Sequence, residues 1–258
     1  MTEMDATQAT QATLHKVVVG RLALVLAAVA TWQLMNRVLG GATIPSLGDL
    51  VRRAVEIGLR GDLWTHTGTT LSEAAAGLLA GATIGVLVPI ALYRWPRVES
   101  ALAPFFAGAM AVPKLALAPI LMLWLGIGFF SKLVFVGSSV FFLVSYSMFA
   151  GLRAVDPGLV AAARVAGVQR WALARHVLYP SALPHVFGGL KVALPYAVAM
   201  AVVGEMLGGE SGLGFYIRMS TSQADTVGIF VGVLVVTLLV VTLNSLLGFL
   251  EPMVLDWP

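Results

Sequence analysis

Residues 156–180 read DPGLVAAARVAGVQRWALARHVLYP, and the reading of the chain turns on this basic passage. Four arginines fall from Arg153 to Arg175, while the sequence on either side runs long stretches with almost no charge. Asp156 can cap a helix whose first residue is Pro157, a position where the missing N–H is not needed. "GLVAAARVA" then supplies more than two turns with small residues on several faces. Gly167 stands where a left-handed cap would end that helix. "VQRWALARHVLY" predicts a second helix that stops at Pro180. The passage is thus a helix–turn–helix set between two hydrophobic runs. Small residues on its first helix permit close backbone approach, and Trp171 and Tyr179 offer bulk for a partner's groove.

The surroundings are a membrane. Of 258 residues, 59% are hydrophobic and 11% charged, and the mean hydropathy is +0.90. Soluble domains carry about twice that share of charge, so this chain cannot coat a water-soluble globule. The formal charge of +3 is too small to point to nucleic acid. With no cysteine there is no disulfide framework, thiol nucleophile or cysteine-ligated metal. Six stretches reach the roughly 20 apolar residues that a spanning helix needs: Leu22–Leu39, Thr70–Leu92, Phe105–Leu125, Leu133–Leu152, Gly188–Leu207 and Gly228–Leu250. None alternates in polarity as a barrel strand would. The fold class is therefore an all-α membrane protein with about six transmembrane helices.

The chain divides into a polar, flexible tail over 1–16, a first transmembrane helix over 17–40, and an outer loop over 41–64. That loop contains the amphipathic stretch "SLGDLVRRAVEIGLR". A five-helix core follows over 65–250, with its cytoplasmic loop at 153–186, and a cytoplasmic tail over 251–258. Lys16, Arg21 and "LALVLAAVA" imitate a secretory signal, but only more membrane follows. Lysine and arginine counts with the N-terminus inside give seven inner against six outer residues, a bare majority. The basic loop after the fourth span is the clearer vote and places both termini inside. There is no internal repeat and no Gly-rich phosphate loop, so any ATPase must be another chain.

Arginines held against anionic headgroups would explain the charge of the 156–180 passage, though not its caps. On residues alone, docking element and surface loop stand level. The passage also resembles the cytoplasmic loop of ATP-binding-cassette importer permeases: Glu-Ala-Ala, three residues, Gly, nine residues, Ile, one residue, Leu-Pro. Anchored on Gly167, that pattern falls on Ala161, Ala162 and Ala163, then on Val177, Tyr179 and Pro180. Ala161 replaces the glutamate, Val177 the isoleucine and Tyr179 the leucine. Two further blocks, "VPKLALAPILMLWLGIG" and "VVGEMLGGESGLGFYI", resemble permeases of the nitrate, sulfonate, taurine and bicarbonate importer subfamily. The likeness runs from "SLGDL" to "LEPMVLDW". It implies a type I importer permease fold, with residues 153–186 as a coupling loop. It also implies a homodimer in a bacterial inner membrane, a pair of ATPase subunits carrying ATP and Mg, an extracytoplasmic substrate-binding protein, and no cofactor on this chain.

Charges inside spans are costly and count as functional candidates. Lys114 lies in the third span between Pro113 and "LALAPI". It is either a cation on the translocation path or a snorkelling or ion-paired residue. Glu205, near the outer end of the fifth span, is a gate or pathway candidate. A structural partner for it, with Lys132 as candidate, is the plainer reading. Glu73 reads as the cap of the second span's first turn. Trp124 reads as an interfacial anchor, as do His185 and Lys191 at the inner end of the fifth span. The small residues of "EAAAGLLAGATIG" suit close helix packing, including at a dimer contact. A stand-alone secondary transporter or channel would show a charged relay or a repeat. A membrane enzyme would show convergent acids and histidines at depth, and no catalytic or metal site is visible here. The resemblance implies instead the permease of a binding-protein-fed importer of a small anionic solute.

Overall fold

A computed structural model describes residues 3–93, 95–168 and 170–255, with side chains from residue 19 onward except those of Arg170 and Trp171. Among the described residues there are eleven α-helices and no strand: α1 (Glu3–Leu39), α2 (Leu47–Arg60), α3 (Asp62–Tyr93), α4 (Pro96–Ala111), α5 (Lys114–Leu125), α6 (Phe129–Arg153), α7 (Pro157–Val165), α8 (Arg170–Leu173), α9 (Tyr179–Gly208), α10 (Leu213–Ser222) and α11 (Thr226–Leu255). One π-helical turn, Ala174–Leu178, joins α8 to α9. Helix α1 begins at Glu3, so the polar segment read as a flexible tail is helical from that residue. Helix α11 likewise continues to Leu255, through much of the expected C-terminal tail.

Among the described residues five helices are long and apolar enough to cross a membrane, and the bent pair α4–α5 passes the same test only when its two halves are taken together. The third span expected over Phe105–Leu125 is therefore not one rod. Its two halves meet at 93°. Proline causes the break: Pro113 has no N–H to continue the helix, and it pushes Val112 into extended backbone (φ −64°, ψ 127°).

Helices α3, α6 and α9 form the centre. Phe135, Val136, Val140, Val144 and Met148 of α6 are buried against Ala182, Ala193, Ala197, Val198 and Ala201 of α9. On α3, Gly77, Gly81 and Gly85 face α6 directly; a Cβ at Gly81 would lie 2.4 Å from the Gly137 carbonyl oxygen. This ladder of small residues thus packs within one chain rather than between copies. A smaller cluster seats the amphipathic α2, with Leu50 and Ile57 against Val231 of α11. Trp32 of α1 meets Phe230 edge-on there, centroids 5.4 Å apart. The remaining face of α1 is bare leucine and valine, as a helix wetted by lipid should be.

Candidate functional site

Three places hold the expected functional residues. The first is the segment between α6 and α9. The Gly158 N–H donates to Asp156 Oδ1 (2.7 Å) and Pro157 opens α7, as the sequence requires. At the other end Gly167 is left-handed (φ +78°). The Val168 N–H donates to the Ala163 carbonyl and the Gly167 N–H to the Arg164 carbonyl, each at 3.0 Å. These two bonds are a Schellman cap, and they reverse the chain using backbone alone. The helix between the caps is bare: Ala161 and Ala162 are exposed, and Val165 keeps 91% of its surface.

The second helix does not stop at Pro180. It runs through α8 and the π turn straight into α9. The Tyr179 N–H reaches back five residues to the Ala174 carbonyl. That wider turn admits the Pro180 ring, which would otherwise strike the carbonyl of residue 176. Leu178 is buried, while Val177 and Tyr179 are half-buried and Tyr179 packs against the central core. Tyr179 is thus turned in part toward its own chain rather than a partner. The side chain of Trp171 lies outside the described residues.

The second place is the break in the third span. Lys114 is the first residue of α5, half-buried, with its Nζ 5.5 Å from the centroid of Phe142 on α6. Among the described residues it is in no ion pair. Backbone freed of helical bonding at membrane depth persists where protein or a water-filled cavity meets it.

The third place surrounds Glu205. Its carboxylate is fully buried and accepts from Thr70 Oγ1 (2.7 Å) on α3 and from the Gly214 N–H (2.7 Å) opening α10. The Leu213 N–H donates back to Thr70 Oγ1 (2.8 Å), and the Gly212 N–H to His66 Nδ1 (3.1 Å). Gly212 (φ +106°) admits no side chain, since a Cβ there would sit 2.1 Å from Glu205 Cδ. Lys132, suggested as the partner of Glu205, instead donates to Glu73 Oε1 at 2.6 Å, both residues buried. Glu73 stands eleven residues inside α3, so it caps no first turn. Glu73 Oε2 has no hydrogen-bond partner. Sequence reading missed this pairing and the role of Thr70. The one available signal was a glutamate inside a glycine-rich block, "GEMLGGESGLG".

A bundle of spanning helices, one broken beside a lysine, with a capped helix left bare between two of them, is the build of a membrane transport subunit. The chain belongs to the family described as binding-protein-dependent transport system inner membrane component, whose profile matches residues 77–255. It is 37% identical over 199 residues to the riboflavin transport system permease protein RibX of Chloroflexus aurantiacus, covering 76% of this chain and 74% of that one. It is 30% identical over 227 residues to the formylaminopyrimidine transport permease protein ThiX of Halalkalibacterium halodurans, covering 88% and 90%. It is also similar to the taurine transport system permease protein TauC of Escherichia coli, 29% identical over 76% of this chain and 71% of that protein. A solved amino acid ABC transporter, determined with histidines, shares the fold: TM-score 0.63 at 16% identity, over 77% of this chain and 97% of that one. The chain is a multi-pass ABC importer permease of the type I fold, a transport subunit.

Proposed function

We propose that two copies of this chain form the pathway of an ATP-driven importer in a bacterial inner membrane, with both termini cytoplasmic. A separate ATPase pair docks on α7 and the turn at Gly167, and a binding protein delivers the solute from outside. The observation that carries this reading is the bare, doubly capped α7 joined to a helix that does not stop. Because α8, the π turn and α9 are continuous, a push on α7 is passed to the core helix α9. Closure of the ATPase pair on ATP would therefore move the inner half of α9 against α6. Ala161 stands where the loop pattern carries glutamate, so docking here relies on shape and apolar contact. The solute is read as a small anion that meets Lys114 at the break between α4 and α5. Two copies would bring paired positive charge to the axis. The taurine permease relative supports this reading.

Valine at Gly167 forces a β-branched residue into left-handed backbone, at a cost of about 1 kcal/mol or more. Co-purification of the ATPase and uptake should both fall while membrane insertion stays normal. A fully assembled, coupled complex would overturn the docking role. Single cysteines at Gln169 and Ser222, in a chain that has none, should label from opposite sides of the membrane. Lys114→Met should slow anion uptake with assembly intact, and Lys114→Arg should keep part of the rate.

A further inference from the structure

Between the inner halves of α6 and α9 lies an open groove of about 410 Å³, lined by Tyr146, Ser147 and Ala150 on one side and His185, Gly188 and Gly189 on the other. A smaller hollow of about 150 Å³ shares Tyr146 and Ala150 and is bounded by Phe106, Phe149, Glu99 and Arg153. Its inner rim is the Arg153–Glu99 ion pair (2.7 Å). An ion pair, an imidazole and a hydroxyl on one face are poor neighbours for lipid. This face is wet.

The two adjacent glycines differ. A Cβ at Gly189 would fall 2.5 Å from Ser147 Oγ, so close packing of α6 and α9 requires that glycine. A Cβ at Gly188 would meet nothing within 4 Å. Glycine is a poor helix former, and nothing in the packing of this chain calls for it at 188. What it does is keep the groove floor flat.

One stripe of α6 carries Phe142, Tyr146, Phe149 and Arg153, at helical spacing. Lys114 lies over Phe142 at one end, and Arg153 over Phe149 at the other, 6.0 Å from its centroid. Tyr146, between them, is 64% exposed. Positive charge thus marks the two ends of the stripe, while the groove itself offers a ring face, an imidazole and a hydroxyl. Among the described residues the cation beside it, Arg153, is already paired with Glu99. A small inorganic anion would find only the His185 ring and the Ser147 hydroxyl and would leave the Tyr146 face uncovered. A flat conjugated molecule would stack on Tyr146 and use its edge to bond His185 and Ser147.

We infer that this groove is a contact station on the import path, and that it takes a solute with a flat, conjugated organic body. An acidic group on that body would be met at Lys114, which is in no ion pair among the described residues. This rests on the importer reading above and narrows its small anions to those with a flat, conjugated body, which removes both nitrate-like ions and saturated sulfonates.

The test uses the assembled permease–ATPase complex carrying Gly188→Cys, whose thiol is the permease's only one. A charged, membrane-impermeant methanethiosulfonate should label it from water. Riboflavin or benzenesulfonate should slow labelling several-fold, and nitrate at the same concentration should not. Tyr146→Ala should abolish the protection and Tyr146→Phe should keep it. No labelling from water would mean that lipid or the second copy covers the groove, and would overturn the inference. Equal protection by nitrate, or none by either aromatic probe, would overturn it as well. Each of these failures leaves ATPase co-purification untouched, whereas loss of the importer reading would appear in the Gly167 and topology experiments instead.

Discussion

The three central helices are held together by opposite means at their two ends. Where α10 folds back, α3, α6 and α9 are tied by buried polar bonds: Lys132 to Glu73, and Thr70 and Gly214 to Glu205. Toward the α7 end, α6 and α9 part around a groove that has an aromatic and polar lining but no buried ion pair. Burying charge is costly unless each group is matched, but a matched pair tolerates little change of register. An open, half-filled groove resists movement much less. The comparison teaches where this molecule is built to be stiff and where it is built to give. On the orientation proposed above, the α7 end is the inner one and the α10 end the outer, and motion delivered through α9 should open the inner end about a fixed outer one.

The sharpest way to break that comparison is to unpair the outer charges. Lys132→Met leaves Glu73 buried beside the Glu205 carboxylate with no cation, and losing one member of a buried pair costs about 3–5 kcal/mol. Thermal unfolding of the detergent-purified protein should register a large drop, with most of it recovered in the Lys132→Met/Glu73→Gln double variant. An unchanged midpoint in the single variant would mean that the outer end is not held by charge. Glu205→Gln is milder. The amide offers one acceptor oxygen where Thr70 and Gly214 need two, an effect of about 1–3 kcal/mol for a buried group left unsatisfied.

These residues also mark the limit of what could be read from the sequence. Five of the six apolar runs lie in helices long enough to span, because run length is a local property. The caps at Asp156 and Gly167 were equally legible, since Asp-Pro and a left-handed glycine act over a few residues. Pro180 was misread because a proline after a helical run is a stop in straight α-helix, and only the π turn makes room for it. Pro113 is a visible weak point in the third span, yet the 93° bend depends on what packs beside it. The Glu73–Lys132 pair joins residues 59 apart in sequence. Which turn of α3 faces which turn of α6 is a matter of register, fixed by the glycine ladder and invisible in composition.

That ladder offers a test of comparable size to Glu205→Gln. Alanine at Gly81 would press its methyl to 2.4 Å from the Gly137 carbonyl oxygen, a backbone atom that cannot turn aside. Overpacking of this kind costs about 1–3 kcal/mol. The shift would separate α3 from α6 and should weaken the Lys132–Glu73 contact as well. Combined with Lys132→Met, it should therefore give less than the sum of the two losses. Strict additivity in unfolding midpoints would show that the helix contact and the ion pair are independent.

The smallest effect should come from the inner end, and it should have the opposite sign. Alanine at Gly188 adds a methyl into open groove, with no atom within 4 Å. It also removes the conformational freedom that makes glycine a poor helix former, a gain of up to about 1 kcal/mol. Alanine one residue later, at Gly189, meets Ser147 Oγ at 2.5 Å. The hydroxyl already donates to the Leu143 carbonyl (3.1 Å), so it must break that bond or α6 and α9 must spread. Unfolding midpoints should rise slightly for Gly188→Ala and fall for Gly189→Ala. If the inner end were packed as tightly as the outer one, both variants would be destabilised, and the contrast between a stiff outer end and a yielding inner end would fail at this pair of residues.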